Sequence, residues 1–469
     1  MLQKLSQKQL DLFIAFLIAF LLIALKVQFL SLPLNGDENY YAIPFNWNYI
    51  LDLSSKTFGH PPGWPIFLNV GYLLFGYSAT LVHSLSLLCS SMLMGYLFLL
   101  LKPFLGRLLS LLVVVAIANH HYYILASSLS HPVIVCSLLG LCSLIHLNKG
   151  EYGKYAFFVC LALLVRESAL IFPFAALIAY PKKKTLFSSS IGLLLLGSFY
   201  ALHYFMTDRV LLNSQMEYLL EIGQPVLIFS FSRIIRFFTE QFFYSWYFAS
   251  LAFTSVGLVV LTKSVSIFKE NRLVLSTLIA GSSHALFFST YTHWAARDIF
   301  MSTVVLMVCF FIILHNLSLN RVLNKKLFKM VCSLFLVFYI IRPFVLVFDE
   351  GGEVGLMKED SFAFQRLGIE LTSLRRTHPK SSILIGYPIS IYLSEPFMGY
   401  VERSIRPLFF GGRDGSPLND PPDFVVFYKA YETKVYVDYV NDLVKRIPYK
   451  VVYSETLNPD RVIKVLQKP

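Results

Sequence analysis

The stretch "LFIAFLIAFLLIALKVQFLSLPLNGDENYYAIPFNW", residues 12–47, runs from a long apolar segment straight into two adjacent carboxylates, Asp37 and Glu38. Residues 12–32 are long enough to cross a bilayer, since about 20 apolar residues span its hydrocarbon core. The run is too long for a signal-peptide core and no small-x-small cleavage site follows it, so it reads as a retained first helix. The acidic pair therefore lies at the lip of a membrane, where charge is costly and needs a reason.

The rest of the chain repeats the apolar theme. Of 469 residues, 56% are hydrophobic and 14% are charged, against roughly 45–50% and about 25% in a soluble domain. A net charge of +12 raises nucleic acid as a partner. The charge sits in short clusters between apolar runs, with no basic face interleaved with stacking aromatics, so nucleic acid is set aside. The six cysteines all lie inside apolar runs and read as small buried hydrophobes.

Apolar length places transmembrane helices over 12–32, 79–101, 106–126, 131–147, 155–166, 167–181, 185–206, 240–262, 273–291, 299–316 and 329–348. Arg166-Glu167 interrupts the stretch 155–181. With the N-terminus in the cytoplasm, sixteen Lys and Arg fall in cytoplasmic loops and five in the opposite ones, a positive-inside bias. After residue 348, "SILIGYP", "DFVVFY" and "YKVVYS" are short β-type runs separated by helix-like stretches. That alternation predicts a small, parallel α/β layer. The expected architecture is a polytopic α-helical membrane protein with about eleven transmembrane helices. Residues 1–348 form its membrane domain, with a first outer loop over 33–78. Residues 349–469 form a small C-terminal extracytoplasmic α/β domain.

In this topology the outer helix ends collect polar groups. Asp37 and Glu38 follow the first helix; Tyr40 and Tyr41 come next; His60 opens "HPPGWPIFLNVGYLLFG". His120, His121 and His131 flank "YYILASSLS", Arg166 and Glu167 break an apolar stretch, Arg233 and Arg236 stand three apart, and His293 and Arg297 fall in "YTHWAARD". Each has a plain structural reading: an acidic pair at a helix start, a proline-set turn, an internal ion pair, interfacial anchors, belt aromatics. Together they also suit glycosyl transfer from a lipid phosphate. A carboxylate at the water-accessible lip can act as general base towards an acceptor hydroxyl. Arginines can hold a phosphate by paired hydrogen bonds. A phosphate leaving group needs charge stabilisation more than a proton, so one essential carboxylate suffices.

The pair in "GDENYYA" followed by "HPPGWPIFLNVGYLLFG" resembles the membrane glycosyltransferases of the GT-C superfamily, nearest to the protein O-mannosyltransferases and the lipid A aminoarabinose transferases. Asp37, Glu38, Tyr41, His60, Pro61 and Pro62 match the first-loop motif. "LLVRESALIFP" resembles the family's Arg-Glu segment, here Arg166 and Glu167, and "HWAARDIFMSTVV" a later one with Arg297. The chain departs from the pattern in lacking prolines after Arg297 and in carrying His131 where an acid often stands. The resemblance implies a polyprenyl-phosphate-linked sugar donor, a site on the outer face and inversion at the anomeric carbon. Asp37 would be the base, or the residue that orients the acceptor, and Glu38 its helper or the ligand of a divalent metal; oxygen ligands suit Mg or Mn, and an added histidine Zn. Arg166, Arg233, Arg236 and Arg297 would bind the donor phosphate, and Tyr41, His60, Glu167 and His293 the substrates. The acceptor would be a lipid, a protein or a polysaccharide. The lack of long insertions and of dense glycosylation signals favours a bacterial inner membrane.

Two other classes share some features. An O-antigen ligase or polymerase is also a membrane glycosyltransferase, but uses diphosphate-linked glycans and a large outer loop. A lipid or sugar transporter places charge at the midplane of two related halves, and no internal symmetry is visible here. "FFGGRDGSP", residues 409–417, is a Gly-rich turn without the Gly-Lys-Ser/Thr ending of a phosphate loop.

Overall fold

The computed structural model describes residues 6–32, 61–127, 131–207, 227–236, 271–290, 296–319, 353–385, 421–428, 434–458 and 461–469, with single helical positions between 268 and 337. The expected spans 240–262 and 329–348 lie outside the described residues or touch them only at such single positions. The chain forms two compact units, a larger one built mainly on Leu81–Phe348 with most of the preceding chain, and a smaller one built on Asp349–Pro469.

The larger unit is helical. Among the described residues, five helices are long and apolar enough to cross a membrane, beginning at Gln7, Ala79, Lys183, Arg272 and Phe300. Helix α1 (Gln7–Lys26) starts at a capping box, in which Ser6 and Gln9 each satisfy the other's backbone N–H. Helix α2 spans Gly63–Phe75. The next segment, α3 (Ala79–Ala118), contains Pro103 and breaks at Gly106, whose φ of +75° only glycine adopts freely.

That break is a hairpin turn. Ser90 Oγ, before the turn, donates to the Ser127 carbonyl at 3.0 Å, and Ser86 Oγ donates to the same oxygen at 3.4 Å. Residues about 40 apart along the chain meet only if the second arm runs back along the first. Helix α1 lies against both arms. Asp11 at its start pairs with Lys102, and with Arg107 at 2.6 Å. In mid-course, Ala15 approaches so closely that a Cβ on Gly95 would meet its carbonyl oxygen at 2.6 Å. Lys26 at its end reaches Ser127.

Helix α4 is a single short piece, His121–Ala126. Helices α5 (Pro132–Asn148) and α6 (Tyr152–Val165) form the next hairpin, with Gly150 supplying a φ of +75° in the turn. A 3-10 turn (Glu167–Leu170) leads to α7 (Ile171–Ala179), and Tyr180 at its end donates to Asn148 Oδ1 at 2.7 Å. Helices α6 and α7 therefore go out from Asn148 and come back to it, with Arg166-Glu167 at the tip. The remaining described helices of this unit are α8 (Lys183–Thr207), the short α9 (Phe231–Arg236), α10 (Arg272–Thr290) and α11 (Ala296–Leu319).

Glycine-mediated contact holds these helices close. A Cβ at Gly140 would fall 1.9 Å from the Phe172 ring, and one at Gly281 would fall 2.5 Å from Leu306 Cγ. In lipid, where helices gain little from excluding water, van der Waals packing at such small residues helps to hold helices together.

The polar groups at one end of the bundle form ion pairs and networks. Asp11 is 5% exposed between Lys102 and Arg107. His146 Nε2 lies 2.7 Å from the Tyr96 hydroxyl, and its other ring nitrogen pairs with Glu151. The bond to His146 holds the Glu151 carboxyl below the usual range. Asp11→Asn should leave two partly exposed cations facing a neutral amide. A fall of about 2–4 °C in the thermal midpoint is expected, the shift that roughly 1 kcal/mol gives in a larger domain. Thermal unfolding of both proteins in detergent checks it.

Among the described residues, the smaller unit carries a four-stranded sheet of order β1-β2-β4-β3, from β1 (Ile383–Ile385), β2 (Phe424–Tyr428), β3 (Lys450–Asn458) and β4 (Arg461–Gln467). Only β1 and β2 pair in parallel; β4 runs antiparallel to both β2 and β3. The expectation of a parallel layer is thus corrected. Asn458 pairs with Arg461, and a two-residue connection cannot make the crossover that parallel strands require. Alternation along β2 divides the core. Phe424, Val426 and Tyr428 face α12 (Glu353–Thr377) through Phe364, Leu367 and Leu371. Val425 faces α13 (Lys434–Arg446) through Val440 and Leu443. Arg461 fixes α12 to the sheet by donating to Glu359 at 2.9 Å. Arg366 pairs with Glu455, whose second oxygen accepts from the Tyr453 hydroxyl at 2.6 Å. Burial first, and the Glu455 carboxylate second, push the Tyr453 phenol up.

Candidate active site

Asp37, Glu38, Tyr41, His60 and His293 lie outside the described residues. The backbone of Arg233 and Arg236 belongs to α9, and that of Arg297 to the first turn of α11. Arg166 and Glu167 are described fully.

Helix α6 ends because Arg166 leaves helical geometry. Its φ of −161° and ψ of 138° are extended, while its N–H still donates to the Ala162 carbonyl at 2.9 Å. Its own carbonyl accepts from Ala169 N–H at 3.1 Å, closing the 3-10 turn. Arg166 is only 7% exposed. Helix α8 packs against α6 and α7, and α10 packs against α7. His284 of α10 is held by Ser302 Oγ of α11 at 2.7 Å. Helices α8 and α10 thus flank the α6–α7 hairpin, and α11 joins them through Ser302.

The His-Pro-Pro segment meets the same tip. Pro61 is buried, Pro62 precedes the first turn of α2, and Gly63 opens that helix. A Cβ on Gly63 would lie 2.6 Å from the Leu164 carbonyl oxygen and 2.8 Å from its carbon. Leu164 is two residues before Arg166. The structure thus brings two separate sequence signals, the start of the helix after His60 and the Arg-Glu interruption, into backbone contact.

A third group forms around α4. His120 Nδ1 accepts from Tyr122 N–H at 3.2 Å and caps this helix, while its ring meets Phe300 edge-on at 5.0 Å. Tyr122 packs against both His131 and Phe300. These histidines take structural parts in an aromatic corner. Phe300 follows Arg297 by one turn of α11. Lys26, which sequence reasoning passed over, ends α1 in this corner. Nζ donates to the Tyr123 carbonyl at 2.8 Å and to Ser127, and lies 4.3 Å above the Tyr123 ring. A lone lysine closing an apolar span was the signal that could have found it. No cluster of three or more His, Cys, Asp or Glu side chains fit to hold a metal occurs among the described residues.

This arrangement of helices is similar in fold to solved structures of a membrane transferase. The solved structures it resembles include ArnT from Cupriavidus metallidurans, a lipid A aminoarabinose transferase. With the apo form the TM-score is 0.56 at 13% identity, over 96% of this chain and 97% of that one. With the form bound to undecaprenyl phosphate it is 0.52 at 12% identity, over 97% of each chain. The sequence matches no protein-family model, and no curated protein matches it.

Proposed function

We propose that the protein is an integral membrane glycosyltransferase that moves a sugar from a polyprenyl-phosphate donor to an acceptor hydroxyl on the outer face. The observation that carries this reading is the end-to-end likeness of fold to ArnT, which binds undecaprenyl phosphate, in a chain whose sequence keeps Asp37-Glu38 and His60-Pro61-Pro62. The contact of Gly63 with Leu164 adds to it, because it joins that motif's helix to the buried Arg166.

In the proposed reaction the Asp37 carboxylate takes the proton of the acceptor hydroxyl. The acceptor oxygen attacks the anomeric carbon from the side opposite the phosphate. The bond from that carbon to the phosphate oxygen breaks, its electrons stay on the oxygen, and the sugar inverts. Arg166, Arg233, Arg236 and Arg297 hold the charge that gathers on the leaving polyprenyl phosphate. Tyr41, His60, Glu167 and His293 orient sugar and acceptor. Glu38 would hold a divalent ion, Mg, Mn or Zn, whose chemistry is to screen the same phosphate charge. The cationic end of the bundle, with Lys102, Arg107, Lys149 and Lys154, suits the cytoplasm under the positive-inside rule. Arg166 then faces outwards, and the unit built on Asp349–Pro469 is the extracytoplasmic α/β domain of a chain with about eleven transmembrane helices.

The test offers liposomes holding the protein either polyprenyl-phosphate sugars or polyprenyl-diphosphate glycans. Consumption of the first, with release of polyprenyl phosphate and an inverted product, is the expected outcome. Consumption of only the second would make the protein a ligase or polymerase. Passage of intact donor across the bilayer would make it a transporter.

A further inference from the structure

Lys26 is an ionisable group placed where a membrane helix usually carries none. The residue is 1% exposed, and taking an ammonium out of water costs several kcal/mol unless its donors are met. Here they are met by α4, through the Tyr123 carbonyl and the Ser127 hydroxyl, with the Tyr123 ring beneath the charge. The Ser127 carbonyl in turn accepts from Ser86 and Ser90 of the first arm of α3. One lysine thus ties α1, α3 and α4 together.

The tie continues to α11. The Tyr123 ring stacks on Phe300 at 6.5 Å, and His120 and Tyr122 close on the same ring at 5.0 and 5.6 Å. Phe300 is fully buried, and Arg297 stands one turn before it. An unbroken series of contacts therefore runs from Lys26 through Tyr123 to Phe300 and the helical turn that carries Arg297. A close-packed interior leaves little slack, so loosening one member of such a series gives its neighbours room to shift. A merely apolar helix end would need none of it, and leucine would fill the position more cheaply.

We infer that Lys26 is a positioning residue for the donor phosphate: through Tyr123 and Phe300 it fixes the first turn of α11, and so the place of Arg297. This rests on the proposed reading of Arg297 as a phosphate ligand.

A double-mutant cycle in nanodiscs tests it, with undecaprenyl phosphate as the titrated probe and affinity and thermal midpoint as readouts. Lys26→Met keeps the length of the side chain and removes its charge. It should weaken binding about tenfold, within the range of couplings between contacting residues. Arg297→Gln should weaken binding as well, and Lys26→Met should then cost nothing further in the Arg297→Gln background. Additive losses would show that Lys26 acts only on general stability, and would overturn the inference. Full affinity in Arg297→Gln would instead overturn the phosphate reading of that arginine, whatever Lys26→Met does. If Lys26→Met does not fold, Ser127→Ala removes one of the two acceptors and enters the same cycle. Unchanged affinity in a folded Lys26→Met or Ser127→Ala protein would also overturn the inference.

Discussion

Asp37→Asn is expected to reduce sugar transfer by at least about 100-fold, the low end of what a general base contributes. The amide keeps the size and shape of the carboxylate and loses its basicity. Nothing in the proposed reaction has Asp37 touch the phosphate, so the affinity for undecaprenyl phosphate should stay within about twofold, a pattern that marks loss of an interaction made only in the transition state. Sugar release from labelled polyprenyl-phosphate donor in liposomes gives the rate, and lipid titration gives the affinity. Glu38→Gln is the matching control. Equal turnover in wild type and Asp37→Asn would take Asp37 out of the chemistry and transfer the role to Glu38. Loss of lipid binding together with turnover would mean that Asp37 shapes the donor site instead.

The second large effect is expected at a residue with no chemistry of its own. Gly63→Ala introduces a Cβ 2.6 Å from the Leu164 carbonyl oxygen. A backbone carbonyl cannot rotate aside as a flexible side chain can, so either α2 or the end of α6 must move. Overpacking of this kind costs roughly 1–3 kcal/mol. The displaced segments are the two that carry Pro61-Pro62 and Arg166, so turnover should fall about tenfold or more along with stability, since a shift of about 1 Å in a positioned group can cost far more than its binding energy. Gly153→Ala lies in the same helix, α6, with nothing within 4 Å of the added carbon. It should leave activity intact and even favour the helix slightly. Equal activity in the two variants would show that the approach of α2 to α6 is not needed by the site.

Sequence alone reveals those parts of this fold that depend on one segment at a time. Apolar length marks the long spans, Pro103 and Gly106 mark a turn, and Arg166-Glu167 marks an interruption, because each signal is local. The runs at β1, β2 and β3 are visible for the same reason. What escapes is whatever depends on a partner. "RVIKVLQ" at the end of the chain alternates well enough to be a strand, yet its place between β2 and β3 follows only from its pairing with both of them. Gly63 is one glycine among 24 in the sequence, and nothing nearby names Leu164 as its neighbour. Lys26 looks like a stray charge until Tyr123 and Ser127, about a hundred residues later, are folded against it. His120 and His131 stand out in the sequence as chemistry but serve the packing of α4 and α5.

The length of α6 has a consequence for anything that approaches Arg166. Fourteen residues rise about 21 Å, whereas the hydrocarbon of a bilayer is about 30 Å thick. The hairpin starts beside the charged turn Lys149–Lys154 and doubles back at Arg166, so its tip stops short of the far headgroups. Lipid above such a tip must thin, or water must descend to it. In the orientation proposed above, the guanidinium would stand at the floor of a dimple in the membrane surface. A slender, flexible chain end can be lowered into a dimple; the broad face of a folded molecule comes to rest on its rim.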